Sequence, residues 1–191
     1  MQTNNQCEWD YEDMLSGINI DRGVIDITDF IDTTRGIIVG HLNKSDDCDF
    51  SPYPAVRESR HIMGEYQFSM SDVFRGKVPN DVILKCKTAF DQHGIQSSWF
   101  ARLGYLPYHS QKYISYLSYR SCLAKGINNL LVVGKACATS RDAFSFVRMQ
   151  PELQNLGYSI GLAASMSIRR NINPRQINIK KLQEKLIEIN I

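Results

Sequence analysis

Arg57 and Arg60 stand three residues apart around Glu58 in the stretch YPAVRESRHIMGEY. Two guanidinium forks this close can clamp a carboxylate or a phosphate through paired N–H donors. The same pair can instead be tied up in internal ion pairs with Glu58, Glu65 or Asp72, and the sequence leaves both open. His93 follows Asp91 by two residues, which puts both side chains on one side of a strand. An imidazole exchanges a proton near neutral pH and a carboxylate can orient it; Gly94 suits a strand end that opens onto a cleft. A hydrogen-bonded surface histidine fits the same spacing. Gly134, Lys135 and Ala136 open a polar loop where a backbone can come close to a ligand. Beyond Pro151, Gly157, Gly161 and Ser165 recur every four residues, with Ala164 beside them, so one helix face is stripped of side chains. Such a face can take a flat ligand, or it can serve tight helix packing and nothing else.

The elements that would hold these residues follow from the pattern. Leu130–Val133 is an apolar run too short for a helix, bounded by Asn128-Asn129 and Gly134, and reads as a buried strand. Pro151 suits the first turn of the helix that carries the glycines, because a missing N–H costs nothing there. Upstream, SMSDVFRGKVP reads as a short helix capped by Ser69 or Ser71 with Asp72 in its first turn. VILKCKTAF reads as a strand running into Asp91-Gln92-His93-Gly94, and YISYLSYR alternates with the period of a half-buried strand. Residues 24–43 carry helical spacing weakened by Thr33-Thr34, Gly36 and Gly40. Residues 95–112 form an aromatic-rich variable loop, and residues 1–23 a polar, acidic stretch.

The blocks YPAVRESRHIMGEYQFSMSDVFRGKVPNDVI, FDQHG, YRSCLAKGINNLLVVGK, VRMQPELQNLGYSIGLAA and NPRQINIKKLQEKL, in this order and spacing, resemble the C-terminal region of FAD-dependent oxidoreductases of two-domain architecture. The resemblance covers residues 53–191 well and the first fifty poorly. It implies an α/β protein, α+β as an isolated fragment. Strands of a substrate domain would be followed by the closing strand and helices of an FAD-binding domain. The implied division is 1–52 as a poorly assigned segment, 53–120 as substrate-domain-like and 121–191 as FAD-domain-like. It further implies FAD contacts from Gly134, Lys135, Ala136, Arg148, Gly157 and Gly161, and a substrate side built from His93, Arg57 and Arg60. In such enzymes the helix starting near Pro151 directs its N–H groups at the pyrimidine end of the flavin, where reduced flavin is negative.

Departures from the family pattern are specific. No G-x-G-x-x-G, the turn that holds the FAD pyrophosphate, occurs in the sequence. Lys135 stands where the family usually has arginine, and Glu152 where a small neutral residue is usual. Tyr158, Ser159 and Ile160 replace a smaller, alanine-rich set, while Arg141, Asp142 and Arg148 fit. The expected role is therefore the C-terminal portion of an FAD-dependent oxidoreductase acting on a small-molecule substrate. It would pair with a chain that carries the pyrophosphate-binding half, or with itself. A non-catalytic remnant acting by association is the other reading.

Composition narrows the field. Net charge is +2 and 43% of residues are hydrophobic, enough for a core and without the basic stripe that nucleic acid requires. The longest nearly apolar run, Tyr158–Ile168, is shorter than a bilayer span, and the N-terminus lacks a signal-peptide pattern. Five widely spaced cysteines without a C-x-x-C read as free thiols in a reducing, cytoplasmic setting. His41 with Asp46, Asp47, Cys48 and Asp49 matches no metal cage and reads as an acidic turn, so no metal site is expected.

Overall fold

The computed structural model describes residues 29–31, 34, 35, 38, 60–89 and 112–188. The chain divides into two compact units, Met1–Arg57 with Gln92–Leu106, and Glu58–Asp91 with Pro107–Ile191. In the first, Phe30, Ile31, Thr34, Arg35 and Ile38 are helical, and the Thr34 hydroxyl donates to the Phe30 carbonyl one turn back at 2.7 Å. The expected loop 95–112 lies outside the described residues except for Lys112, which opens a strand.

The second unit begins with an extended segment from Arg60 and a five-residue helix, α1 (Met70–Phe74). Ser69 is its N-cap, and Asp72 reaches back to accept the Ser69 N–H at 2.8 Å, which satisfies a donor the helix leaves open. Two strands follow, β1 (Val82–Ala89) and β2 (Lys112–Ser118), paired antiparallel with Cys86 opposite Ser115 and Lys85 opposite Tyr116. Leu84 and Cys86 are buried while Lys85 and Lys87 are exposed, as the period of two requires. A register shift between Val82 and Leu84 gives Ile83 a buried place as well.

The chain then makes two tight turns, Tyr119–Cys122 and Gly134–Ala136, and a four-residue helix, α2 (Arg141–Phe144). The long helix α3 (Gln150–Arg170) comes next, then a turn at Pro174–Gln176 and α4 (Ile179–Glu188). Leu156, Ser159, Ile160, Ala163 and Ser167 form the buried stripe of α3. α3 lies on β1, where the buried Ser159 hydroxyl sits 3.0 Å from the Ile83 carbonyl and 2.9 Å from that of Asn155. Asn171 ends α3 in the left-handed conformation, and the Ile172 N–H returns to the Ser167 carbonyl at 3.1 Å. Phe68, Met70, Leu84, Leu117, Tyr119 and Phe144 fill the core. Helices against a small antiparallel sheet make this an α/β to α+β fold, as expected from the sequence. No helix of the described residues is long and apolar enough to cross a membrane.

Two expectations are corrected. Leu130–Val133 is not a buried strand: Leu131 makes one isolated bridge to Leu123, the Val132 N–H bonds the Cys122 carbonyl, and Leu130 and Val133 are 40% and 41% exposed. Left-handed backbone at Asn129 and Gly134 closes the run at both ends, which leaves four residues with one partner on one edge. An apolar run without a second neighbour does not become a ladder. Tight packing is likewise not what the bare face of α3 serves. Ser159 and Ala163 make the close approach instead, and Gly157 and Gly161 face outward.

Candidate functional site

Gly134 has φ +74°, a conformation that L side chains rarely adopt, and it starts the turn Gly134–Ala136. The turn lies against α3. The Ala136 carbonyl accepts the Ile62 N–H at 2.9 Å, so the segment after Arg60 runs along the turn. Farther along, the Phe68 N–H bonds the Ala138 carbonyl at 3.0 Å and the Ser140 N–H bonds Phe68 at 2.7 Å. Gly64 makes this possible: a Cβ built on it would lie 2.4 Å from the Ala138 Cβ. Two segments far apart in sequence thus fix the shape of the Gly134 loop.

A Cβ built on Gly134, Gly157 or Gly161 would meet nothing within 4 Å. Lys135 is exposed beside this open ground, and Arg148 and Ala136 are half-buried. The N-terminus of α3 has Met149 as its cap residue, with no side-chain hydrogen bond to the first-turn N–H groups. Arg60 is exposed at the start of the described segment, while Arg57 and His93 lie outside the described residues. The structure therefore brings together the turn Gly134–Ala136 and the helix that bears Gly157 and Gly161.

Glu152 lies in the first turn of α3. Its Oε2 is buried with no hydrogen-bond partner, and its charge acts on the Cys86 thiol of β1. Burial first, and that charge second, push the thiol up to about 12.

Three side-chain clusters were not foreseen from the sequence. The Tyr66 hydroxyl donates to Asp72 at 2.6 Å, Lys77 lies over the Tyr66 ring at 4.6 Å and Arg120 at 5.4 Å. Burial works to raise the Asp72 carboxyl, but hydrogen bonds from Tyr66 and Ser69 outweigh it and hold the group below its usual value. Asp81 accepts from the Ser118 hydroxyl at 2.6 Å and from Arg120 Nε at 3.0 Å. It too is held low, against the opposing effect of burial. Arg175 pairs with Glu65 and donates to the carbonyls of Ala124 and Ile127. These clusters staple the extended segment to the turns. Each joins residues distant in sequence, Tyr66 and Asp72 apart, so spacing could not reveal them. Among the described residues no group of His, Cys, Asp and Glu side chains is placed to hold a metal ion.

Gly157 and Gly161 lie on the exposed side of α3, and the turn Gly134–Ala136 packs against the same helix. The family described as FAD dependent oxidoreductase matches residues 8–186, nearly the whole chain. The chain belongs to that family, whose members are oxidoreductases that use FAD. Searches of curated proteins and of solved structures returned no match.

Proposed function

We propose that this chain is the C-terminal portion of an FAD-dependent oxidoreductase, that it supplies contacts to the ribityl chain and pyrimidine end of the flavin, and that it adds part of the substrate site. The observation that supports this reading most is the open space over Gly134, Gly157 and Gly161, where side chains would otherwise project. FAD, when bound, supplies the transfer of a hydride or electron pair to or from the substrate. The protein's share is to bind and orient. Gly134, Lys135 and Ala136 would hold the ribityl side, with a single ammonium where the family has a guanidinium fork. Arg148, Gly157 and Gly161 would flank the ring, and the uncapped first turn of α3 offers N–H donors and positive potential to a reduced, anionic pyrimidine. Arg57, Arg60 and His93 are the proposed substrate-side groups. Residues 53–120 would then be substrate-domain-like and 121–191 FAD-domain-like.

A second reading, a non-catalytic subunit that acts by association, is favoured by exposed Leu130, Val133, Tyr158 and Ile168 and by the lack of a pyrophosphate-binding glycine turn in the sequence. The two readings separate in one experiment. Gly157→Leu and Gly161→Leu add bulk to open ground, so both variants should fold, and helix propensity should stabilise each by about 0.8–1 kcal/mol. In fluorescence titrations of FAD they should bind at least tenfold more weakly than the unaltered chain. Equal binding, or no binding by the unaltered chain alone or with a co-purifying partner, refutes the flavin reading. A shift from oligomer to monomer in the same variants, by light scattering, supports association.

A further inference from the structure

Among the described residues, His61 is the histidine at the Gly134 turn. Its Nδ1 lies 3.0 Å from the Cys137 carbonyl and 3.3 Å from the Thr139 hydroxyl, and its ring stands edge-on to Phe144 with centroids 5.4 Å apart. The next residue, Ile62, bonds to Ala136, the last residue of the turn. A carbonyl oxygen can only accept, so Nδ1 carries the proton. In the neutral ring Nε2 is then a bare acceptor. It makes no hydrogen bond among the described residues, and His61 as a whole is half-buried. Three contacts hold the ring of this half-buried residue and leave Nε2 over.

We propose that His61 is a binding residue of the flavin site: Nε2 accepts a hydrogen bond from an O–H or N–H donor of the cofactor, either a ribityl hydroxyl or the imide N–H of the ring. This rests on the flavin reading above. The turn itself offers carbonyls already used within the protein, at Gly134 by Cys137 and at Ala136 by Ile62. The imidazole adds a side-chain acceptor next to these two occupied carbonyls. Cys137, whose carbonyl sets the tautomer, is fully buried, so the orienting contact is protected from water.

The test uses the full chain labelled with 15N at histidine and glycine. In the free chain Nδ1 should be the protonated nitrogen of His61; a proton on Nε2 overturns the proposal. Addition of FAD should move the Gly157 and Gly161 amide signals and the His61 Nε2 signal together. Lumiflavin, which has the isoalloxazine ring and its imide but no ribityl hydroxyls, assigns the donor: a matching Nε2 shift points to the imide, and a shift with FAD alone points to a ribityl hydroxyl. Glycine signals that move while Nε2 stays still overturn the role of His61 and leave the flavin reading standing. If neither moves, both fall. His61→Asn keeps an N–H for the Cys137 carbonyl and removes the outer acceptor, so FAD affinity should drop about 2–10-fold, the span of one net hydrogen bond. His61→Gln, with an acceptor farther out, should recover part of that loss. Full affinity in His61→Asn overturns the proposal.

Discussion

Gly64→Ala tests the crossing that shapes the Gly134 loop. The new methyl would sit 2.4 Å from the Ala138 Cβ, with the Tyr66 carbonyl at 3.1 Å and that of Arg120 at 3.3 Å. Carbon atoms in contact normally stand about 3.5–4.0 Å apart, so one of the two segments must move by about 1 Å or more. Sideways escape is blocked by backbone oxygens. Overpacking of this kind costs about 1–3 kcal/mol. Against it stands about 0.4–1 kcal/mol gained because alanine restricts the unfolded chain. The expected net loss is about 1–2 kcal/mol. Ala138→Gly removes a fully buried methyl and adds chain freedom, for a loss of about 1.5 kcal/mol. The double variant no longer has the clash, so its loss should fall short of the sum by about 1–3 kcal/mol. Urea unfolding followed by far-ultraviolet circular dichroism on all four proteins measures this coupling. Losses that add to within about 0.5 kcal/mol would refute the crossing, and with it the placement of the segment after Arg60 along the loop.

Acid stability follows from the carboxylates. Asp81 and Asp72 are held below their usual values, so each stabilises the fold above its unfolded pKa near 4, and that stability is lost as pH falls through the lower, folded value. Asp81→Asn should lower stability at pH 7 by about 1–3 kcal/mol and flatten the decline below about pH 4, which urea midpoints against pH would record; an unchanged acid limb would contradict it. Burial pushes the thiols of Cys86 and Cys137 to about 12 and raises that of Cys122. In the native chain at pH 8 these three cysteines should resist iodoacetamide and label only as fast as the fold opens, as mass spectrometry of peptides would report. Rapid labelling of Cys137 would mean that the Gly134 loop is not closed over it.

Local signals were legible wherever one element carries its own instructions. The Ser69–Asp72 cap, the alternation of β2 and the proline start of α3 each lie within a few residues, and each is found where the pattern puts it. The direction in which a helix face points is not local. Gly157 and Gly161 mark a bare stripe in the sequence, but Leu156, Ile160 and Ala163 decide which side goes inward, by burying more apolar area against β1. Leu130–Val133 failed as a strand for the same reason: its fate depends on neighbours that the run itself does not encode. His61 was invisible because its partners, Cys137 and Thr139, lie 76 and 78 residues away. Of the residues proposed to hold the cofactor, the glycines follow from spacing and family pattern together, whereas His61 needed the fold.

The contacts that close the second unit have a consequence for how the chain is made. Ser159 reaches Ile83 across 76 positions, and Gln183 reaches Asn80 and Val82 across 103 and 101. During synthesis β1 and β2 emerge long before α3 and α4, and a two-stranded hairpin is marginal by itself in water. Its apolar face, with Leu84, Cys86 and Leu117, stays uncovered until α3 and α4 have emerged. Folding of this unit is thus deferred until α4 is available, and it is slow because its pairings are remote.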